Sequence, residues 1–127
     1  MGARRDDRGA AVVDFVLVLV VLVPLFLAIL QVALVLHVRN TLASAAAEGA
    51  RYAATADRDP ADGASRTREQ VRGALPGRFA DDISARHVLI GGSPAVEVTV
   101  RAVVPALGLG GPSIALDVSG HAIEETP

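Results

Sequence analysis

His37, His87 and His121 are the natural starting points for proton or metal chemistry, and their spacing offers none. No two lie four residues apart on a helix and no HExxH motif occurs, so they read as exposed or interface side chains. Asp57, Asp59, Asp62, Asp81 and Asp82 supply carboxylates for a calcium ion, but not at the intervals of an EF-hand loop. The glycines of Leu107 to Pro112 lack the strand-then-helix context of a dinucleotide loop and predict a connection between strands. Arg66, Arg68 and Arg72 read as a solvated helix face rather than a phosphate site. There is no GxSxG elbow, and the absence of Cys excludes disulfides and thiolate zinc sites. With no Trp, one Tyr and a net charge of −2, the chain has neither stacking platforms nor a basic footprint for nucleic acid. These patterns predict a protein that is not an enzyme, with no catalytic, cofactor-binding or metal-binding residues and no small-molecule substrate.

One side chain stands in an unusual place. Asp14 is a carboxylate inside an apolar run that extends from Gly9 to Leu36. From Phe15 to Leu36 there are 22 residues without a charge, and 18 of them are Val, Leu, Ile or Phe. As a helix this stretch is about 33 Å long, enough to cross a hydrocarbon core of about 30 Å. Its large apolar residues favour insertion by about 5–11 kcal/mol in sum, which one Gln and one Pro do not reverse. The segment is therefore expected to enter a membrane. Arg4, Arg5 and Arg8 crowd against its start, while Arg39 and Arg51 are dispersed beyond its end. That asymmetry favours a cytoplasmic N-terminus and an extracytoplasmic C-terminus. Pro24 removes an amide from the middle of the span and predicts a kink there.

Asp14 has two readings on its own. It marks the hydrated edge of a plain anchor, or it is held at that depth for a partner cation. Its spacing from Gly9, a small residue closing a basic leader, resembles a type IV prepilin signal. The wider pattern resembles the TadE-like family of minor pilins or pseudopilins of tight-adherence (Flp-type) pilus systems. The matching pieces are Arg8-Gly9, Asp14-Phe15, Val23-Pro24-Leu25 and Ala47-Glu48-Gly49-Ala50-Arg51 followed by Tyr52-Ala53-Ala54. The resemblance implies cleavage between Gly9 and Ala10 by a prepilin peptidase. It also implies a single-pass protein of the bacterial plasma membrane and a non-catalytic role in pilus assembly. Partners would be other pilin or pseudopilin subunits and the assembly machinery. The acid five residues past the cut is usually Glu in prepilins; here it is Asp, one methylene shorter. It would help set helix register, with Phe15 beside it, by meeting the new Ala10 amine of a neighbouring subunit.

Past the span nothing breaks the helix until about residue 56. Val38, Leu42, Ala45, Gly49 and Tyr52 recur at steps of four and three, a one-sided packing stripe for the chain's own sheet or for other subunits. Asn40, Ser44, Glu48, Arg51 and Thr55 follow another face, with Glu48 and Arg51 close enough to pair. Gly49, poor in a helix, points to a close helix contact. Asp57 to Gly63 reads as a turn. Ser65 to Leu75 reads as a short helix capped by Ser65, burying Ala64, Val71, Ala74 and Leu75. Strands are expected at His87–Ile90, at Val96–Val104 with Val96, Val98, Val100 and Ala102 facing in, and around Ile114, Leu116 and Val118. Gly91 to Pro94 would join the first two.

The expected fold class is α+β, a long N-terminal transmembrane helix continuing into a small antiparallel meander, type IV pilin-like. Residues 1–9 form the leader, 10–36 the span, 37–56 the helix extension and 57–127 the extracytoplasmic domain. Two alternatives compete with the pilin reading. One is a soluble domain released by signal peptidase at Ala43-Ser44-Ala45; the other is an unprocessed single-pass scaffold of a secretion complex. A membrane-anchored enzyme is the weakest alternative.

Overall fold

Fifty-one consecutive residues, Ala3–Ala53, form one α-helix, α1. At 1.5 Å per residue it is about 75 Å long. The computed structural model describes residues 3–107 and 112–126, with side chains from Asp6 onward. The helix begins within the leader rather than at residue 10, because Arg, Asp and Ala leave nothing there to stop it. It runs through Pro24 without interruption and ends at Ala53, three residues earlier than expected. The turn after it places Asp57 at φ 70°, a left-handed conformation that Asp tolerates better than most side chains.

The second helix, α2 (Pro60–Ala74), corrects the sequence expectation at its start. Asp59, not Ser65, is the cap. Its carboxylate accepts from the Asp62 amide at 3.1 Å, and the Asp62 carboxylate accepts from the Asp59 amide at 3.0 Å. Pro60 fills the first turn, where a missing N–H costs nothing. The segment read as a turn is thus largely the first turn of α2. Gly63, Thr67 and Val71 are its buried residues, while Ala74 is exposed. A 3-10 turn, Gly77–Ala80, then buries Phe79 and Ala80.

The sheet is a three-stranded antiparallel meander in the order β1 (Asp82–Ile90), β2 (Ser93–Val104) and β3 (Ile114–Ile123). The α+β class is therefore as expected, with strands longer than the sequence indicated. β1 starts at Asp82 rather than His87, since its polar outer positions concealed the alternation. Ser93 and Pro94 belong to β2, so the first turn consists only of Gly91 and Gly92, at φ 58° and 83°. Two positive φ values in succession form the tight hairpin turn that Gly-Gly allows. Leu107 lies in the second connection, and Gly108 to Gly111 lie outside the described residues.

Val96, Val98, Val100, Ala102 and Val104 of the central strand are buried against the upper half of α1 and against α2. α1 contributes Val38, Leu42, Ala45, Ala46, Ala50 and Ala53 to this core. Three glycines allow the layers to close. A Cβ on Gly49 would stand 2.6 Å from the Gly63 carbonyl oxygen, and one on Gly63 would stand 2.7 Å from the Gly49 carbonyl oxygen. A Cβ on Gly120 would run into the backbone of Ala46 and Ala47. Thr67, fully buried in the α1–α2 contact, shares its hydroxyl proton between the Gly63 carbonyl at 2.9 Å and the Ala45 carbonyl at 3.2 Å.

Because backbone occupies the space, Gly120→Val is expected to destabilise the domain by about 1–3 kcal/mol. Gly73→Ala, on an exposed helical site with open space around it, is expected to stabilise by about 0.5–1 kcal/mol. Thermal unfolding of the full chain in detergent, followed by circular dichroism, measures both; equal midpoints would contradict the packing described.

Candidate assembly site

From Asp6 to Phe26 every residue of α1 is exposed. Among its side chains Phe15 is 64% exposed, Val21 67% and Phe26 61%. Seventeen large apolar residues between Val12 and Leu36 are exposed in this way. Leaving each in water costs about 1.5–3 kcal/mol. The sum, tens of kcal/mol, exceeds the roughly 5–15 kcal/mol net stability of an ordinary domain. This surface has to be covered by lipid or by protein. α1 is the one helix among the described residues that is long and apolar enough to cross a membrane, which fits a single-pass membrane protein.

Asp14 sits on this bare surface, exposed, with no ion pair or side-chain hydrogen bond among the described residues. Gly9 and Ala10 are also exposed and helical, and a Cβ on Gly9 would meet nothing within 4 Å. The side chains of Arg4 and Arg5 lie outside the description. Gly9, Ala10, Asp14, Phe15 and Pro24 therefore share one uncovered segment.

The expected packing stripe divides differently. Val38, Leu42, Ala45 and Gly49 are buried inside the chain's own domain, so they are not a free surface for partners. Ala46, Ala50 and Ala53, buried as well, widen the stripe to a face that the four-and-three stepping did not include. Tyr52 is half-buried, with the Arg58 guanidinium 3.5 Å above its ring. Glu48 and Arg51 pair at 3.4 Å on the solvent side. The Glu-Gly-Ala-Arg segment thus combines an outer ion pair with Gly49 pressed against α2 and Ala50 buried in the core.

Two histidines acquire partners that the sequence alone did not reveal. On the sheet face turned away from the helices, β1, β2 and β3 align Arg86, Glu97 and His121 in one row. Glu97 takes Arg86 at 2.7 Å and His121 at 2.6 Å. Hydrogen bonding from His121 first, and from Arg86 next, holds the Glu97 carboxyl below the usual carboxylate range. A second row, Asp82, Arg101 and Asp117, has the opposite sign pattern, with Arg101 and Asp117 at 3.2 Å. His87 pairs with Glu124 at 2.5 Å. His37 is exposed. Among the described residues no Ser or Thr hydroxyl is bonded to the imidazole of any of these histidines, and no group of three His, Asp or Glu could hold a metal ion. The rows tie strands together.

A carboxyl whose folded pKa is depressed contributes stability that is present above its unfolded pKa and is lost as pH falls through the folded one. Glu97→Gln is therefore expected to lower stability at neutral pH and to flatten the loss of stability on acidification below the usual carboxylate range. Urea midpoints of the two proteins across an acidic pH series check this; parallel curves would remove Glu97 from the acid response.

Comparison with known proteins bears on the amino-terminal part of the chain. No curated protein and no solved structure matches it. Residues 9–51 match the family model described as TadE-like protein, the same family that the leader, the Asp14-Phe15 pair and the Glu48–Arg51 segment resemble, which supports a minor-pilin-like role associated with a tight-adherence pilus.

Proposed function

We propose that the protein is a non-catalytic minor pilin or pseudopilin of a tight-adherence pilus. In this reading it is inserted with its N-terminus in the cytoplasm, cut by a prepilin peptidase between Gly9 and Ala10, and passed from the membrane to an assembling pilus. The observation that carries the reading is the division of α1. Its upper half is consumed by the domain core, while the stretch from Gly9 to about Val32 is a bare apolar rod bearing one carboxylate. A plain anchor needs no acid there. A subunit entering a helix bundle does, because the carboxylate and a neighbour's freed Ala10 amine satisfy each other once the helices reach the right register. The bend expected at Pro24 would let such a rod follow neighbouring helices.

The signal-peptidase alternative fits poorly. A mature chain starting at Ala46 would lose Val38 and Leu42, which are 1% and 0% exposed, together with Ala45. Removing two large core side chains of this kind costs several kcal/mol, with about 2–5 for a Leu alone. The domain would not keep this packing.

The mass and N-terminal sequence of the native protein extracted from membranes test the proposal directly. A start at Ala10 is expected. A start at Met1, Gly2 or Ala46 would overturn it. Asp14→Ala is expected to leave membrane insertion unchanged and to reduce pilus output at least tenfold, since breaking a buried ion pair costs about 3–5 kcal/mol. Asp14→Glu should preserve output. Normal pilus yield from Asp14→Ala would refute the registration role.

A further inference from the structure

We propose that the sheet face turned away from the helices is a contact surface for a second copy of this chain, staggered along α1 by four strand residues, and that it repels a copy at equal height. The proposal rests on both copies crossing the membrane in the same sense. It is independent of the pilus role, of cleavage at Gly9 and of any pairing by Asp14.

The strands run along α1. Gln31 bonds the Pro105 carbonyl just past the lower end of β2, Gly120 lies against the backbone of Ala46 and Ala47, and the Glu125 amide bonds the Ala54 carbonyl past the upper end of β3. Each cross-strand row therefore sits at a fixed height above the span. The row of Glu97 lies above the row of Arg101, with the hydroxyls of Ser84, Thr99 and Ser119 between them. In the upper row the Arg86 side chain is 73% exposed and that of Glu97 15%, so the surface presented is mainly Arg86 and His121. The lower row presents two carboxylates, Asp82 and Asp117, around Arg101.

Two copies in one membrane that meet through this face are related by a half-turn about an axis parallel to the strands. The turn lays β1 over β3 of the other copy and leaves every row at its own height. At equal height Glu97 meets Glu97, Arg101 meets Arg101 and Asp82 meets Asp117, so like charges oppose one another. A slide of two residues sets charged rows over hydroxyls. A slide of four residues, about 13 Å, sets Glu97 over Arg101, Arg86 over Asp117 and His121 over Asp82. Each carboxylate in the contact then faces a cation or a donor across sheets packed about 10 Å apart. Copies resting at the same depth are held in the repelling register. Moving one outward by this distance alone carries its Asp14, which borders the charge-free span, into hydrocarbon. The face thus keeps resident copies apart and accepts a copy that has been drawn outward.

The chain has no Cys, so single-cysteine variants report these contacts cleanly. In the staggered pair Ile123 lies over Ser84 of the second copy, whereas any in-register pair, parallel or antiparallel, sets Thr99 on its own symmetry axis. Full-length Ile123→Cys and Ser84→Cys chains are mixed in detergent, where nothing fixes their relative height, and treated with a bismaleimide spanning about 10 Å. They are expected to form a mixed dimer severalfold more abundant than the self-dimer of Thr99→Cys. The same mixture in lipid vesicles should lose it severalfold. Arg101→Glu in the Ser84→Cys chain should abolish the mixed dimer in detergent, and Glu97→Arg in the Ile123→Cys chain should then restore it, a rescue that misfolding does not allow. Absence of the mixed dimer from the two charge-intact chains would overturn the proposal, as would a Thr99→Cys self-dimer of equal abundance. So would a mixed dimer indifferent to Arg101→Glu, or one equally abundant in vesicles.

Discussion

The architecture depends on backbone-to-backbone contact at Gly49, Gly63 and Gly120. These positions let α2 and β3 lie directly against α1, with no side chain between them. A small sheet cannot bury enough surface by itself, and domains of this size are marginal. Here the sheet is closed by a helix that arrives from another environment. Alanines at 46, 50 and 53 keep the approach short, and Leu42 and Val38 fill the space where the layers diverge. The hydrogen bond from the Glu125 amide to the Ala54 carbonyl ties the end of the sheet back to the end of α1. Orientation of the rod relative to the domain is thereby fixed through rigid packing rather than through a linker.

Much of this was legible in the sequence, for reasons that differ from element to element. The span declares itself by length and hydropathy, and β2 by strict alternation from Val96 to Ala102. The connection at Gly91 to Pro94 is legible as a turn, but not its two-residue length, which sets Ile90 opposite Ser93 and so Arg86 opposite Glu97. The third member of that row, His121, was not accessible. A longer connection precedes β3, so its register depends on packing that no local signal encodes. β1 was cut short because its outer positions, Ser84 and Arg86, are polar while its inner ones are only partly buried. The start of α2 was missed because Asp59-Pro60-Ala61-Asp62 is as good a turn as it is a capping box. What decides between them is Gly63 meeting Gly49, a contact distant in sequence.

The candidate site was legible as chemistry but not as a partition. Stepping by four and three marked Val38, Leu42, Ala45 and Gly49 as one face without indicating whether that face served the chain or its neighbours. The structure gives those residues to the chain. What remains for neighbours is the segment from Gly9 to about Val32, where Val, Leu, Ile and Phe predominate and small residues are scarce.

This partition explains why one helix carries two compositions. In water, burial against a sheet gains most from close approach, so the upper half uses Ala and Gly and lets backbone atoms touch. In lipid there is no hydrophobic gain in moving a Leu from acyl chains to another helix. The bulky lower half therefore has no strong reason to associate, and can move between lipid and a bundle at little cost. Specific association then has to come from polar groups, and within the span these are few. Gln31 is engaged by the chain's own backbone. Asp14 is not. In the proposed pilin reading, a carboxylate without a partner among the described residues, on an otherwise indifferent surface, gives association a preferred register without fixing it in advance.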